Sequence, residues 1–486
     1  MEETAGISGV FSPIKLPCGR SLRNRLVKVA MYQHLADFLG GPPNQLHFSL
    51  YSKWAQFDWG MIVTGNVQVS KTHLTLGRDV CLPRDLSKER LLPFEQWVTS
   101  IRGSGESGAL AIMQLSHAGR QSTNFVGGRF PFKSPLAPSP IRVKAKNCGW
   151  LSDAFHTLVF QTPRQMSLSD IDDVVEAFVK GARVASESGF DGIQLHAAHG
   201  YLLAQFVSPT SNERTDEYSA HPENALRLLR RIVSAIRATV AKTFVIGIKI
   251  NAADYVDHNE LDIADRVLNH FQAIARWGEI DFIEVSGGDY EKPDFMPTKI
   301  KSPRQALFAH FSKAAMDALA SLELESPSAS LPLVLLTGGL RTAELLHTAL
   351  VSKHAHLLGI GRASILCPDL PRLLKERELA GTQLSLDASW STPFRPDPNL
   401  DLSRIWNFLP TIPIVGAGIN MAWYVVTIRQ LAALPSSIRE TLLEPDYTLG
   451  PLEAVFRMWV WVDRLFVPRT IFVLSGMSLW LFSVIR

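Results

Sequence analysis

One short stretch of the sequence concentrates groups able to donate hydrogen bonds and move protons. His196, His199 and Tyr201 fall within six positions, directly after the apolar run at residues 192–195. Two imidazoles and a phenol so placed can polarise a carbonyl oxygen and deliver a proton, or can start a metal site. A metal would need a third ligand at a fitting spacing, and none follows, so no metal is expected. A lone histidine is more often a hydrogen-bonded core residue; two with a tyrosine at one strand end favour chemistry. Lys249 lies near the end of FVIGIKI, and burying an unpaired ammonium is costly, so it is expected to face a polar mouth. Two glycine turns, TGGLRT (337–342) and GIGRAS (359–364), each open a helix. Backbone N–H groups at such turns hold an anion, and Arg362 adds a fixed charge. The same turns could be plain connectors.

These groups need elements to position them. Apolar runs predict strands at 26–31, 61–69, 109–115, 192–195, 244–250, 281–285, 333–336 and 357–360. Helical periodicity follows each: 44–59, 92–102, 169–188, from about 222 onward, 261–277, 303–322, 341–351 and 369–379. The segment 116–164 shows no clear period, and a loop that long is usually functional, often a lid. Eight βα units between residues 26 and 380 fit one TIM (β/α)8 barrel better than two doubly wound domains. No GxGxxG follows the first strand, which weighs against a Rossmann domain. Strand ends line the barrel mouth. They supply Ala30, Met31 and Tyr32; Gly65 and Asn66; Gln114 and His117; His196, His199 and Tyr201; Lys249 and Asn251; Ser286 and Gly287.

A formal net charge of +3 is too small and dispersed to suggest nucleic acid. Four scattered cysteines without Cys-x-x-Cys exclude a cysteine-framed zinc or iron–sulfur site and point to a reducing, cytoplasmic setting. The start, MEETAGISGVFSP, is acidic, has no apolar run and does not read as a secretory signal; residues 1–25 form an N-terminal segment ahead of the barrel. Beyond residue 380 the composition changes. A linker at 393–398 precedes an uncharged run at 405–428, broken by Pro410, Pro413, Gly416 and Gly418. The run 470–485 is uncharged but short against the ~20 residues a spanning helix needs. Two readings stand side by side. Helices of 381–486 pack on the barrel or a second subunit, or the end, about 465–486, anchors the protein to a membrane as a spanning or interfacial segment.

The run HAAHGYLLAQFVSPTSNERTDEY, together with NRLVKVAM, QLSHAGRQS, EVSGG, TGGLRT and GIGRAS in that order, resembles the Old Yellow Enzyme family of FMN-dependent NAD(P)H oxidoreductases, over residues 12–380. It is most similar to the fungal branch with a C-terminal extension. The resemblance implies an ene-reductase with FMN as cofactor and NADPH or NADH as reductant. Its substrate would be a small enone or enal, in fungal secondary metabolism. A homodimer is compatible with it. Ala30, Met31, Tyr32, Gly65 and Gln114 would border the flavin ring. Lys249 would stabilise negative charge on the reduced ring, and Gly339, Gly361 and Arg362 would hold the phosphate. His196 and His199 would bind the substrate carbonyl and Tyr201 would protonate its α-carbon. Tyr32 departs from the family, which usually has Thr or Cys there. YSAHPENAL departs too, with His221 and Pro222 intruding and Ala225 in an arginine position. Rival readings are a flavin-dependent isomerase or desaturase, a flavin-free TIM-barrel lyase, and a membrane-tethered scaffold with a degenerate barrel.

Overall fold

The computed structural model describes residues 8–103, 108–144, 150–252, 261–287, 304–322, 330–379, 391–400, 413–434 and 444–460. Its centre is a closed parallel barrel of β1 (Leu26–Lys28), β2 (Met61–Gln68), β3 (Leu110–Ser116), β4 (Gly192–Ala197), β5 (Val245–Asn251), β6 (Phe282–Ser286), β7 (Leu333–Thr337) and β8 (Leu357–Ile360). Each strand pairs with its successor, and β8 pairs back onto β1 with Leu358 opposite Leu26, so the barrel has no free edge. All eight strands overlap the expected apolar runs. Around them lie α1 (Gln45–Ala55), α2 (Lys88–Arg102), α3 (Leu168–Glu187), α4 (Arg227–Arg237), α5 (Leu261–Arg276), α6 (Arg304–Ala320) and α7 (Ala343–Val351). The short α8 (Ala363–Leu366) and α9 (Leu370–Leu379) complete the set.

Local chemistry explains where the helices start. Asn44 and Ser167 each form a capping box, with His47 and Asp170 respectively, so α1 and α3 begin where their orphan N–H groups find acceptors. From α3, Ile171, Val174, Phe178, Ala182 and Ala185 are buried. The helix α4 starts at Arg227, later than its periodicity suggests. Residues 221–226 form turns instead, with the Asn224 N–H donating to the His221 carbonyl at 2.8 Å and its side-chain amide to Ser219 Oγ at 3.1 Å. Ala225 in this turn and Tyr218 just before it are buried. Within 116–164, residues 116–124 are mostly buried, Leu136–Ala137 pairs with Arg164–Gln165, and Trp150–Val159 is a helix.

The barrel interior is apolar below and polar above. Val27, Val29, Met61, Val63, Ile112, Val245, Phe282, Leu335 and Leu357 form one buried cluster, joined by Leu16 and Leu22 of the N-terminal hairpin. Gly247 leaves room for a ring here: a Cβ on it would lie 2.2 Å from Phe282 Cζ. Beyond the barrel, α10 (Pro413–Ala433) and α11 (Pro451–Val460) pack on each other, and α10 lies on α1. Trp423, Val425, Val426, Ile428 and Leu431 join the main core. The described part of the extension therefore follows the packing reading. No helix among the described residues is long and apolar enough to cross a membrane, and the run at 465–486 lies outside them.

Candidate active site

His196, next to last on β4, faces the mouth and is 4 % exposed. His199 follows in the left-handed backbone region, φ 57°, and Gly200 continues it at φ 70°. That turn folds the second imidazole back on the first, with His196 Nε2 and His199 Nδ1 3.0 Å apart. Asn66 Oδ1 lies 2.9 Å from His196 Nδ1, and Ser286 Oγ lies 3.0 Å from His199 Nε2. An acceptor at Asn66 Oδ1 fixes the proton order. His196 Nδ1–H donates to Asn66, His199 Nδ1–H donates to His196 Nε2, and the Ser286 hydroxyl donates to His199 Nε2. Burial, repulsion from the other ring and the Lys249 charge hold the His196 pKa well below its usual range. Burial and Lys249 do the same for His199. Both rings are neutral donors. The Tyr201 ring meets His196 edge-on, centroids 4.6 Å apart.

The loop holding these groups is pinned by the earlier motif QLSHAGRQS and by Gln205. Gln121 Nε2 donates to the His199 carbonyl at 2.9 Å, and the Leu202 N–H to the His117 carbonyl at 2.9 Å. Gln205 Nε2 donates to the Gly200 carbonyl at 2.7 Å, while its Oε1 accepts from the Arg120 N–H. Gly119 (φ 56°) makes that approach possible, because a Cβ there would sit 2.4 Å from Gln205 Oε1.

One layer lower, the inward side chains form a polar chain. Gln114 Nε2 donates to Gln194 Oε1 at 2.5 Å, and Gln194 Nε2 to Glu284 Oε2 at 2.7 Å. Glu284 Oε1 is 2.9 Å from Lys249 Nζ, both side chains being almost fully buried. Register places Lys249 beside His196 on β4 and beside Glu284 on β6. Gln114 and Lys249 were expected at the mouth; Gln194 and Glu284 were not singled out, although each is a polar residue inside an apolar strand.

Around the rim, Ala30, Met31 and Tyr32 are half-buried at the end of β1. The β2 ladder shifts register between Val63 and Asn66, and Gly65 comes so close to the Met31 carbonyl that a Cβ would lie 2.8 Å from it. The Gly65 N–H and Gln33 Nε2 both donate to the Tyr51 hydroxyl, at 2.8 and 2.6 Å. Tyr32 turns its hydroxyl onto His34 Nδ1, 2.8 Å away, and the His34 ring packs edge-on against Trp459 of α11 at 5.2 Å. At the ends of β7 and β8, Gly338 and Gly339 have φ of 123° and 78°, and a Cβ on Gly361 would meet only Val29 Cγ2 at 3.7 Å. Thr337 Oγ1, at the foot of the first turn, is buried without a hydrogen-bond partner among the described residues. Arg362 stands at the start of α8.

This donor set fits a flavin mononucleotide. The glycine turns with Thr337 and Arg362 suit a phosphate. Gln114 and a buried lysine suit a polar ring edge, and the half-buried Ala30 and Met31, with Gly65 close against the Met31 carbonyl, suit the border of the ring.

Among solved structures, the fold is similar to morphinone reductase (TM-score 0.60, 20% identity, 78% of this chain and 91% of that one). It is also similar to the old yellow enzyme homologue from Zymomonas mobilis (TM-score 0.59, 23% identity, 76% and 93%). In sequence, the chain is 35% identical over 390 residues to an NADH-dependent flavin oxidoreductase of Neonectria sp. (strain DH2), covering 76% of this chain and 48% of that protein. It therefore spans about half the length of that relative. A second NADH-dependent flavin oxidoreductase, of Talaromyces variabilis, is 33% identical over 372 residues, covering 74% and 84%. With residues 9–379 matching its profile, the chain belongs to the NADH:flavin oxidoreductase / NADH oxidase family.

Proposed function

We propose that the chain is an NADH-oxidising ene-reductase that reduces the C=C bond of an α,β-unsaturated ketone or aldehyde. The observation that carries this reading is the neutral His196–His199 pair abutting Tyr201, one strand from Lys249. Bound FMN would supply the hydride exchange with both substrates. The protein's own groups do the rest. A carbonyl oxygen entering between the imidazoles would accept the hydrogen bond that His199 Nδ1–H otherwise gives to His196 Nε2, and this donor strengthens as enolate charge develops. Tyr201 then supplies a proton to the α-carbon. Glu284, held by Gln194 and Gln114, fixes the Lys249 ammonium, which would face the flavin ring. The names of the fungal relatives, NADH-dependent flavin oxidoreductases, favour NADH as the reductant here.

Anaerobic NADH is expected to bleach the visible flavin band of the purified protein. A cyclic enone should then restore it, with one saturated ketone formed per flavin. Protein that takes up no FMN, or a bleached flavin that enones and enals leave reduced, would overturn the proposal. Because both imidazoles stay neutral, enone affinity is expected to be flat from about pH 6 to about pH 9. A step in affinity at the ordinary histidine pKa of 6.5 would show instead that one ring titrates freely.

A further inference from the structure

The extension does more than cover the outer helices. Its polar contacts reach the arginines of both glycine turns. Arg341, after the β7 turn, forms an ion pair with Asp397. Asp397 Oδ1 also accepts from the Tyr424 hydroxyl of α10 at 2.6 Å. The Tyr424 ring faces the Arg362 guanidinium, 5.9 Å from centroid to Cζ. Tyr424 is 5 % exposed, and its neighbour Trp423 stacks on Tyr447, whose hydroxyl donates to the Pro396 carbonyl at 3.0 Å. The segment carrying Asp397 is thus clamped on one side by Arg341 and on the other by Tyr447. Burial and the adjacent Asp397 carboxylate hold the Tyr424 phenol well above its usual range, so it stays a donor.

We propose that Tyr424 and Asp397 are positioning residues for the cofactor phosphate. They hold Arg362 and Arg341 in place at the ends of adjacent barrel strands, so that retention of FMN depends on the extension. The proposal rests on the assignment of Arg362 and the glycine turns to the phosphate. A free arginine loses rotamer freedom when it closes on an anion, and one already laid against an aromatic face loses less. The cation–π contact leaves the guanidinium charge intact and its edge N–H groups available.

Flavin-stripped protein is titrated with FMN and with riboflavin, followed by quenching of flavin fluorescence. The two ligands share a ring system and differ at the phosphate. Tyr424→Leu is expected to raise the FMN Kd by about 10-fold and to leave riboflavin unchanged. Tyr424→Phe keeps the ring, loses the bond to Asp397, and is expected to cost about 3-fold for FMN alone. Arg362→Ala checks the underlying assignment. If it leaves the FMN-to-riboflavin ratio unchanged, the phosphate assignment itself fails. If it collapses the ratio while both Tyr424 variants preserve it, the role of the extension is overturned. Equal loss of both flavins in Tyr424→Leu, with no change in Tyr424→Phe, marks a packing effect and also overturns it.

Discussion

Tyr201→Phe is expected to slow the enone-dependent reoxidation of the bound flavin by ~10²–10⁴-fold, the range for losing a positioned general acid. Reduction by NADH should proceed at the unaltered rate, because no proton from Tyr201 enters that half-reaction. The substitution removes one oxygen from a ring that is buried and packed on His196. The backbone around it is held by the Leu202 N–H on the His117 carbonyl and by Gln205 on Gly200, and neither bond uses the phenol. The loop should therefore keep its shape. Stopped-flow measurement of the two half-reactions separates the outcomes. Equal slowing of both would mean that Tyr201 orders the mouth rather than delivering a proton.

Lys28→Met is expected to stabilise the fold. Lys28 lies on β1 but faces outward beneath α1, fully buried, with its Nζ on the Val63 carbonyl at 3.1 Å and 4.2 Å from the Trp54 ring centroid. Among the described residues no carboxylate pairs with it. Burial, and then the charge of Lys249, lowers its pKa from 10.5 to about 7. The sign follows from linkage. Below pH 7 the amine is charged in both states and the folded state bears the whole penalty. Between 7 and 10.5 the unfolded chain holds a proton that the folded one lacks, so stability rises with pH; above 10.5 the penalty is gone. The shift corresponds to on the order of 5 kcal/mol. Lost contacts with Val63 and the two aromatic rings offset part of this, leaving an expected gain of ~2–4 kcal/mol near pH 6. Denaturant unfolding at about pH 6, 7.5 and 9 should show the difference between variant and parent narrowing as pH rises. A gap that does not change with pH, or a destabilised variant, would refute the argument.

The barrel is legible in the sequence because each strand is an apolar run bounded by turn residues and followed by a 3.6-residue period. The start of α4 is not, since the turn at 221–226 depends on Asn224 competing locally for hydrogen bonds while the apolar pattern runs on. At the site, His196, His199, Tyr201 and Lys249 stand out as polar groups at or near strand ends. Glu284 carries the same signal, a carboxylate in an apolar strand. Its meaning appears only when β5 and β6 are set in register and it meets Lys249. Lys28 is equally visible as a charge in a buried strand, but the strand alone does not say that it faces α1 rather than the mouth. The extension was the least legible part. An uncharged run such as 413–428 suits a bilayer and a protein groove alike, and for that run only the surface offered by α1 and the partners offered by Arg341 and Arg362 separate the two; the run at 465–486 lies outside the described residues. Tyr32, the departure singled out from the family pattern, proves to lead through His34 to Trp459 of that same extension.

The closure of β8 onto β1 has a consequence for how the chain reaches this state. Leu358 donates its N–H to the Arg25 carbonyl at 2.8 Å, and the indoles of Trp54 and Trp59 donate to the carbonyls of Ser364 and Pro368 at 2.8 and 2.9 Å. These partners are synthesised 309 to 333 residues apart. While a ribosome is still making the middle of the protein, the first strand has an open flank and two tryptophans lack their acceptors. Contacts of such long sequence separation form late and slowly. A nascent chain must carry an unsealed parallel edge for most of its synthesis, the period in which it is most exposed to misassociation with other chains.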